Sequence, residues 1–235
     1  MTEYTSDNNW VEVAGSVDSI IEFSHEMFGE GFYGFYLSVP RLSDYVDRLP
    51  IIVSERLITE VDLNIGAEIR ITGQFRSYNK LVDGSNRLLL TIFAREIANQ
   101  TEELNNPNQI YLNGFVCKAP IYRTTPFKRE IADLLIAVNR AYNKSDYIPT
   151  IAWGRNARFC QTLEVGDNIK VWGRIQSREY QKRYSDGEVV DKVAYEVSIS
   201  KLEIVQDNKE DEIDQEVQIE DKEDHEVQDA QENKI

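Results

Sequence analysis

The chain has 235 residues, and its 26 Lys and Arg stand against 41 Asp and Glu, a formal net charge of −15. The length suits one large domain or two small ones, and the 41% of hydrophobic residues can form a sizeable core. Because phosphates repel so acidic a protein, the overall charge argues against a nucleic-acid partner.

Other global features exclude several classes of protein. No apolar run reaches the roughly 18 residues of a membrane span. The first residues lack the basic start and apolar stretch of a secretory signal, so we expect a cytoplasmic protein. Cys117 and Cys160 form no C-x-x-C pattern, and His25 and His225 stand alone. This usage favours reduced thiols and predicts neither a metal site nor a cofactor.

The charge is distributed unevenly along the chain. Residues 1–105 hold 8 basic and 17 acidic side chains, residues 106–205 hold 15 and 11, and residues 206–235 hold 3 and 13. The net charges are therefore −9, +4 and −10. A basic segment lies between two acidic ones, so the net charge of the whole chain does not exclude a polyanionic partner for that segment.

An internal repeat divides the chain further. Asn9–Val17 returns as Asn108–Val116, and Gly66–Gly73 returns as Gly166–Gly173, at offsets of 99 and 100. Leu37–Arg41 also returns as residues 136–140. Matches in order at a nearly constant offset predict a duplicated domain of about 100 residues. The predicted boundaries are an acidic first domain at 1–99, a linker at 100–106, a second domain at 107–205 and a disordered acidic tail at 206–235.

Each repeat has the pattern of a small all-β domain. Alternation and β-branched runs predict three strands, then a short helix with apolar residues three apart, then two strands. In the second repeat these elements are expected at 110–116, 133–138, 147–153, 155–163, 169–175 and 189–205. That order is typical of the five-stranded OB-fold barrel, so we predict two tandem OB barrels, with a β-sandwich as the alternative.

Four motifs of the second repeat carry a family resemblance. They are Leu135–Arg140, Asp146–Ala157, Leu163–Asp167 and Val171–Tyr180, in this order. With this spacing, residues 107–205 resemble the bacterial single-stranded DNA-binding protein family, whereas the first repeat resembles it only weakly. The resemblance implies OB folds, sequence-independent binding of single-stranded DNA, and a homodimer that assembles four barrels from two chains.

Single-strand binding needs aromatic faces for the bases and a basic groove for the phosphates. The resemblance places the stacking positions on Tyr142, Tyr147, Trp153 and Tyr180. Basic residues are interleaved with them: Arg123, Arg140, Lys144, Arg155, Arg174, Arg178, Lys182 and Arg183. Alternate strand positions predict one sheet face for Arg174 and Arg178.

Structural alternatives apply to several of these residues. Trp153 follows an apolar run, so a role in the core is an alternative to stacking. Tyr142 lies in a polar loop, where a solvated tyrosine is the alternative. Trp172 suits packing or an interface as well as DNA contact. Lys182 and Arg183 suit a solvated hairpin tip as well as a clamp on the strand.

The first repeat lacks the aromatic pattern of the second. Ser43, Arg48, Ser54 and Lys80 occupy the equivalents of the four stacking positions. With its charge of −9, we expect this repeat to bind single strands weakly and to serve assembly or partner contact. Its aromatic loop, Phe28 and 32–36, is expected in the core or at a subunit interface.

The sequence predicts a non-enzymatic DNA-binding protein of replication, recombination and repair. It contains no G-x-x-x-x-G-K-[ST], H-E-x-x-H or G-x-S-x-G motif. A primosome-type or phage accessory protein that acts through protein contacts and an RNA-binding cold-shock-like module are the alternatives. The tail resembles the partner-docking tails of the family but lacks their proline and phenylalanine. A solubilising tail, or one that competes with DNA for the basic groove, is equally compatible with its charge.

Overall fold

The computed structural model describes residues 8–41, 43–59, 61–82, 85–100, 105–183 and 187–205, with the side chains of 80–87 left out. The expected tail at 206–235 and most of the expected linker lie outside the described residues. Both repeats belong to one compact unit that extends to Ile204. No described helix is long and apolar enough to cross a membrane.

The elements of the two repeats match one another. The first repeat contains β1 (Asn9–Val17), β2 (Glu22–Met27), β3 (Glu30–Pro40), β4 (Val46–Ser54), α1 (Glu55–Ile58), β5 (Glu68–Val82) and β6 (Ser85–Asn99). The second contains β7 (Asn108–Val116), β8 (Ile121–Thr124), β9 (Glu130–Arg140), β10 (Lys144–Trp153), α2 (Arg155–Cys160), β11 (Asn168–Arg183) and β12 (Val189–Ile204).

Five strands of each repeat close into a ring, which confirms the predicted OB barrels. In the second repeat β7 pairs with both β9 and β11, β9 pairs with β10, β11 pairs with β12, and a short parallel pairing of β10 with β12 completes the circle. The first repeat closes in the same way. Because a sandwich leaves its sheets open at the edges, these closing pairs exclude that alternative.

Three elements differ from the sequence-based expectation. Short strands β2 and β8 are added outside the rings, on the edges of β3 and β9. Their side chains are mostly exposed, so they carry no apolar alternation that would reveal them. Helix α2 ends at Cys160, but Leu163 beyond it still packs into the core.

The interior of each barrel requires glycine at equivalent points. A Cβ on Gly114 would lie 2.4 Å from the Ala137 carbonyl oxygen, and one on Gly15 would lie 2.0 Å from that of Ser38. Real Cβ atoms do not approach a backbone oxygen so closely, so only glycine allows these strands to cross. The same steric demand at an offset of 99 supports the interpretation of the repeat as a duplicated barrel.

The barrels are joined through a local two-fold axis. Strands β1 and β7 pair antiparallel, and Val11 lies opposite Ile110. Ile110 is the residue of the second repeat that corresponds to Val11, so the pairing is symmetric. The bonds beside them are also equivalent: Ala14 N–H donates to Pro107 O at 2.8 Å, and Asn113 N–H donates to Asn8 O at 2.8 Å. The ladder extends one continuous sheet of twelve strands through both repeats.

Buried carboxylates tie each barrel to the other across this axis. Asp47 of β4 accepts the Ser177 N–H of β11 at 2.7 Å, and Asp146 of β10 accepts the Ser77 N–H of β5 at 2.7 Å. Both aspartates are wholly buried. These bonds join β4 of the first repeat to β11 of the second, and β10 of the second repeat to β5 of the first.

Candidate nucleic-acid interface

The centre of the candidate site is a row of side chains across three strands of the second repeat. Arg123 of β8 lies opposite Ile131 of β9, which lies opposite Trp153 of β10. Residues directly opposite one another share a face of the sheet. Trp153 is 39% exposed, so this side chain lies at the surface and not in the core.

Tyr147 extends this surface along β10. It stands six residues before Trp153 and therefore on the same face, about 20 Å away at the rise of an extended strand. The Tyr147 side chain is 46% exposed, and its N–H donates to Ser77 Oγ at 2.7 Å. The backbone of this strand is thus fixed by the first repeat, while its aromatic side chains are presented to solvent.

The β11–β12 hairpin carries the surface further. Ile151 of β10 pairs with Ser198 of β12, and Ser198 pairs with Arg174 of β11, so Arg174 is on the face of Trp153. Arg178 and Tyr180 follow at alternate positions, and the Arg178 guanidinium lies 5.8 Å from the Tyr180 ring centroid. We call Arg123, Tyr147, Trp153, Arg174, Arg178 and Tyr180 the outer face of repeat 2.

Tyr180 lies at the far end of this face, beside the first repeat. A pocket of about 760 Å³ is lined by Tyr180 and Pro149 from the second repeat and by Tyr36, Arg48 and Tyr78, among others, from the first. Tyr180 is therefore separated from Trp153. It lies close to the first repeat, which the sequence predicts to bind single strands weakly.

Tyr142, Arg140 and Lys144 lie elsewhere, at the turn between β9 and β10. Tyr142 is fully exposed with a left-handed backbone, φ 62°. Arg140 Nη1 donates to Asp146 Oδ1 at 3.2 Å, and Lys144 is opposite Arg140 in the hairpin. These three residues line a cavity shared with the first repeat.

Several of the predicted cations are ion-paired. Arg123 Nε lies 2.9 Å from Asp133 Oδ2, and Arg174 Nη1 lies 3.3 Å from the buried Asp47 Oδ2. Burial, together with the nearby Arg41, lowers the pKa of Arg174. Arg174 therefore joins the two repeats as well as facing outward.

The remaining predicted cations are solvent-exposed. Arg155 is the first residue of α2, and Lys182 and Arg183 are the last described residues of the β11 arm. Arg178 Nε lies 3.9 Å from Glu196 Oε1, at the limit of an ion pair. The β11 arm thus presents Arg178, Lys182 and Arg183 to solvent.

Trp172 packs within the protein. Its ring centroid is 5.2 Å from that of Tyr111 on the neighbouring strand, and Lys201 Nζ lies 4.5 Å above its ring. This arrangement agrees with the packing alternative.

Phe127 is an exposed aromatic residue that the sequence reasoning missed. It is at the turn between β8 and β9, is almost fully exposed, and precedes two cations, Lys128 and Arg129. The repeat offset contains the signal, because Phe28 occupies the equivalent position in the first repeat. Phe28 was expected in the core or at a subunit interface, but its side chain is also fully exposed in the structure, so it is not a core residue.

The equivalent surface of the first repeat is neutralised by its own side chains. Arg48 lies 3.7 Å above the Tyr36 ring centroid and 2.6 Å from Asp18 Oδ2. Ser54, in the place of Trp153, caps helix α1 by accepting the Arg56 N–H at 3.2 Å. Neither position offers an aromatic face. Among the described residues, no three His, Cys, Asp or Glu side chains converge as a metal site.

Comparisons with known proteins agree with this fold. The model of the single-strand binding protein family matches residues 107–205. Single-stranded DNA-binding protein 1 of Staphylococcus aureus is 34% identical over 83 residues, covering 32% of this chain and 50% of that protein. Single-stranded DNA-binding protein B of Bacillus subtilis is 32% identical over 84 residues, covering 32% of this chain and 72% of that protein.

A solved structure supports the fold beyond the second repeat. The wild-type single-stranded DNA-binding protein from Thermus aquaticus superposes with a TM-score of 0.68 at 19% identity, covering 85% of this chain and 94% of that one. At this identity the likeness concerns the fold alone. The chain spans about half the length of the Staphylococcus relative. With the match to the Bacillus protein over most of its length, the chain belongs to the single-strand binding protein family.

Proposed function

We propose that this protein binds single-stranded DNA without regard to sequence, through the outer face of repeat 2. The observation that carries the proposal is Trp153, an exposed aromatic residue on one sheet face with Tyr147 and Arg123. Stacking of bases on such rings contributes about 1–3 kcal/mol per base and tolerates every base. Basic residues around the rings would contact the phosphates.

Residues 107–205 supply most of the binding in this proposal, and residues 1–99 supply assembly. The ion pairs and the cap that occupy the first repeat's equivalent surface support this division. The role is coating and protecting single strands in replication, recombination and repair, without a catalytic step, at the nucleoid in the cytoplasm. The assembly is a homodimer with four barrels, and the acidic segment 206–235 is the contact for replication or repair proteins.

Fluorescence titration of the full chain with oligo-dT at several salt concentrations tests the proposal. Binding should quench the tryptophan emission, and Trp153→Phe should remove most of the quench. Trp172→Phe is the matched control, since that ring packs on Tyr111. Competition with oligo-rU measures the preference for DNA over RNA.

The two kinds of contact are separable by their salt dependence. Trp153→Ala should weaken binding about fivefold or more, because 1 kcal/mol of stacking is lost at the least, and leave the salt slope unchanged. Arg178→Ala should flatten the log–log slope by about 0.7, the value for one phosphate of a single strand. If both variants bind like the parent, the outer face of repeat 2 is not the binding site.

A further inference from the structure

A basic cleft opens between the two repeats, at the Lys144 end of β10, whereas Trp153 is at the other end of that strand. Its volume is about 1130 Å³, and none of its described lining residues is acidic. The first repeat contributes part of its wall and the β9–β10 turn contributes the rest. The side chains with charge or an aromatic ring are Phe28, Arg76, Arg95, Arg140, Tyr142 and Lys144.

The buried guanidinium of Arg76 is the cation of the cleft that an anion would stabilise most directly. Arg76 is half-buried, and burial, followed by repulsion from Arg140, lowers its pKa to about 10. Its guanidinium bonds to Gln74 Oε1 at 2.9 Å and lies 3.8 Å above the Phe93 ring. A phosphate in the cleft would offset both the lost hydration and the repulsion.

Two aromatic residues enter the cleft from opposite repeats, and the fold does not explain either. Phe28 and Tyr142 are both almost fully exposed, and both have left-handed backbones, with φ of 54° and 62°. That conformation is costly for a residue with a Cβ, and hairpin turns normally place Asn, Asp or Gly there. Neither ring buries enough surface to compensate, which points to a ligand with a flat, stackable face.

The two-fold axis provides an internal comparison. The equivalent cleft, lined by Arg41, Ser43, Asp47 and Arg174 among others, has a volume of about 310 Å³. Ser43 stands there in place of Tyr142. Its two arginines both bond to Asp47, at 2.5 Å and 3.3 Å. In the open cleft, Arg140 bonds to the equivalent Asp146 at 3.2 Å, but Arg76 bonds to the neutral Gln74. Only one of the two equivalent clefts is therefore open, basic and aromatic.

We propose that the open cleft binds the phosphates and a base of the single strand where the strand leaves the outer face of repeat 2, so that the first repeat contributes Phe28, Arg76 and Arg95 to DNA binding. The inference rests on the proposed function. Strand β10 connects the two surfaces, because it runs from Lys144 at the cleft through Tyr147 to Trp153. That path is about 30 Å long at the rise of a strand.

Oligonucleotides of two lengths distinguish the cleft from the outer face of repeat 2. In full-length protein, oligo-dT of about 8 nucleotides lies within the 4–16 nucleotides typical of one OB barrel, and oligo-dT of about 35 nucleotides exceeds it. Arg95→Gln should leave the short oligonucleotide unaffected. For the long one, it should weaken binding and flatten the salt slope by about 0.7. Arg56→Gln is the charge-matched control, since that exposed arginine of the first repeat pairs with Glu30.

A fluorescent reporter tests occupancy of the cleft directly. Phe28→Trp in a Trp153→Phe background should be quenched by the long oligonucleotide and not by the short one. Phe28→Ala should weaken the long complex about fivefold or more, the equivalent of one stacked base.

The outcomes separate this inference from the proposed function. If Trp153→Ala weakens binding but Arg95→Gln and the Phe28 reporter give no change with the long oligonucleotide, the cleft is not part of the site. If the parent itself binds neither oligonucleotide, the proposed function fails. If Arg95→Gln and Arg56→Gln weaken binding of the long oligonucleotide equally, the loss reflects the net charge of the protein and not a contact in the cleft. That result would overturn the inference.

Discussion

The carboxylate of Asp47 is the polar centre of the contact between the repeats. Its Oδ1 accepts Arg41 Nη2 at 2.5 Å and the Ser177 N–H at 2.7 Å. Its Oδ2 accepts Arg41 Nε at 2.8 Å and Arg174 Nη1 at 3.3 Å. Asp47→Asn removes the only negative charge in this group and turns one acceptor into a donor that faces arginine.

The expected cost follows from burial of the carboxylate and exposure of its partners. Breaking a buried ion pair by removing one charge costs about 3–5 kcal/mol. Solvent reaches the partners here, because Arg41 and Arg174 side chains are 22% and 38% exposed, so screening reduces the loss. We expect a decrease of about 2–3 kcal/mol in the free energy of unfolding, equivalent to a Tm lower by about 4–12 °C for a chain of this size.

The equivalent aspartate is the matched control. Asp146 Oδ1 accepts the Ser77 N–H and Arg140, but its buried Oδ2 has no hydrogen-bond partner within the described part of the chain. Asp146→Asn keeps an oxygen that accepts the Ser77 N–H and Arg140, and replaces the unsatisfied oxygen by an amide nitrogen. We therefore expect it to lower the free energy of unfolding by about 1 kcal/mol or less. Urea unfolding and calorimetry of both variants measure the difference. A cost for Asp146→Asn equal to or greater than that for Asp47→Asn would refute this reasoning.

Three further predictions concern titration, reactivity and the tail. Burial raises the pKa of Asp146, so ionisation of this side chain opposes folding at neutral pH. As the pH falls through that raised pKa toward the unfolded value of about 3.9, the parent gains stability and Asp146→Asn does not. The free energy of unfolding of the variant relative to the parent, measured with urea, should therefore decline over this pH range. Burial raises the pKa of Cys160 to about 11, so a thiol reagent at pH 8 should modify Cys160 only after unfolding and react faster with Cys117, as peptide mass mapping would show. Deleting 206–235 should tighten oligo-dT binding at low salt and have less effect at high salt, and an unchanged affinity would exclude competition by that segment.

The barrels were predictable because their determinants are local and repeated. Alternating apolar residues in β7 and β9 place Leu112 and Ile136 in the core, and the recurrence of Gly15 as Gly114 marks the same strand crossing. Strand β8 was missed because its mostly exposed residues have no apolar alternation. It is held by its backbone pairing with β9 and by Tyr122, which packs against the core and donates to Glu130.

The site was predictable in chemistry but not in arrangement. Residue type and family resemblance selected Tyr147 and Trp153, and strand parity selected Arg178. No local pattern indicates that Tyr180 reaches the first repeat or that Arg95 and Tyr142 line one cleft. Those positions depend on the β-bulge between Thr72 and Gly73, on left-handed turns and on the pairing of β1 with β7.

The Val11–Ile110 pairing has a consequence for how the two barrels can diverge. In a homodimer joined by the same ladder, every substitution appears twice, so a basic groove and an acidic surface cannot be assigned to different halves. Covalent linkage removes that constraint and replaces a concentration-dependent association with an intramolecular one at high effective concentration. One copy is then free to lack aromatic residues at the equivalents of the stacking positions and to carry Asp18 and Glu30, while the other keeps Trp153, without any loss of the ladder on dilution.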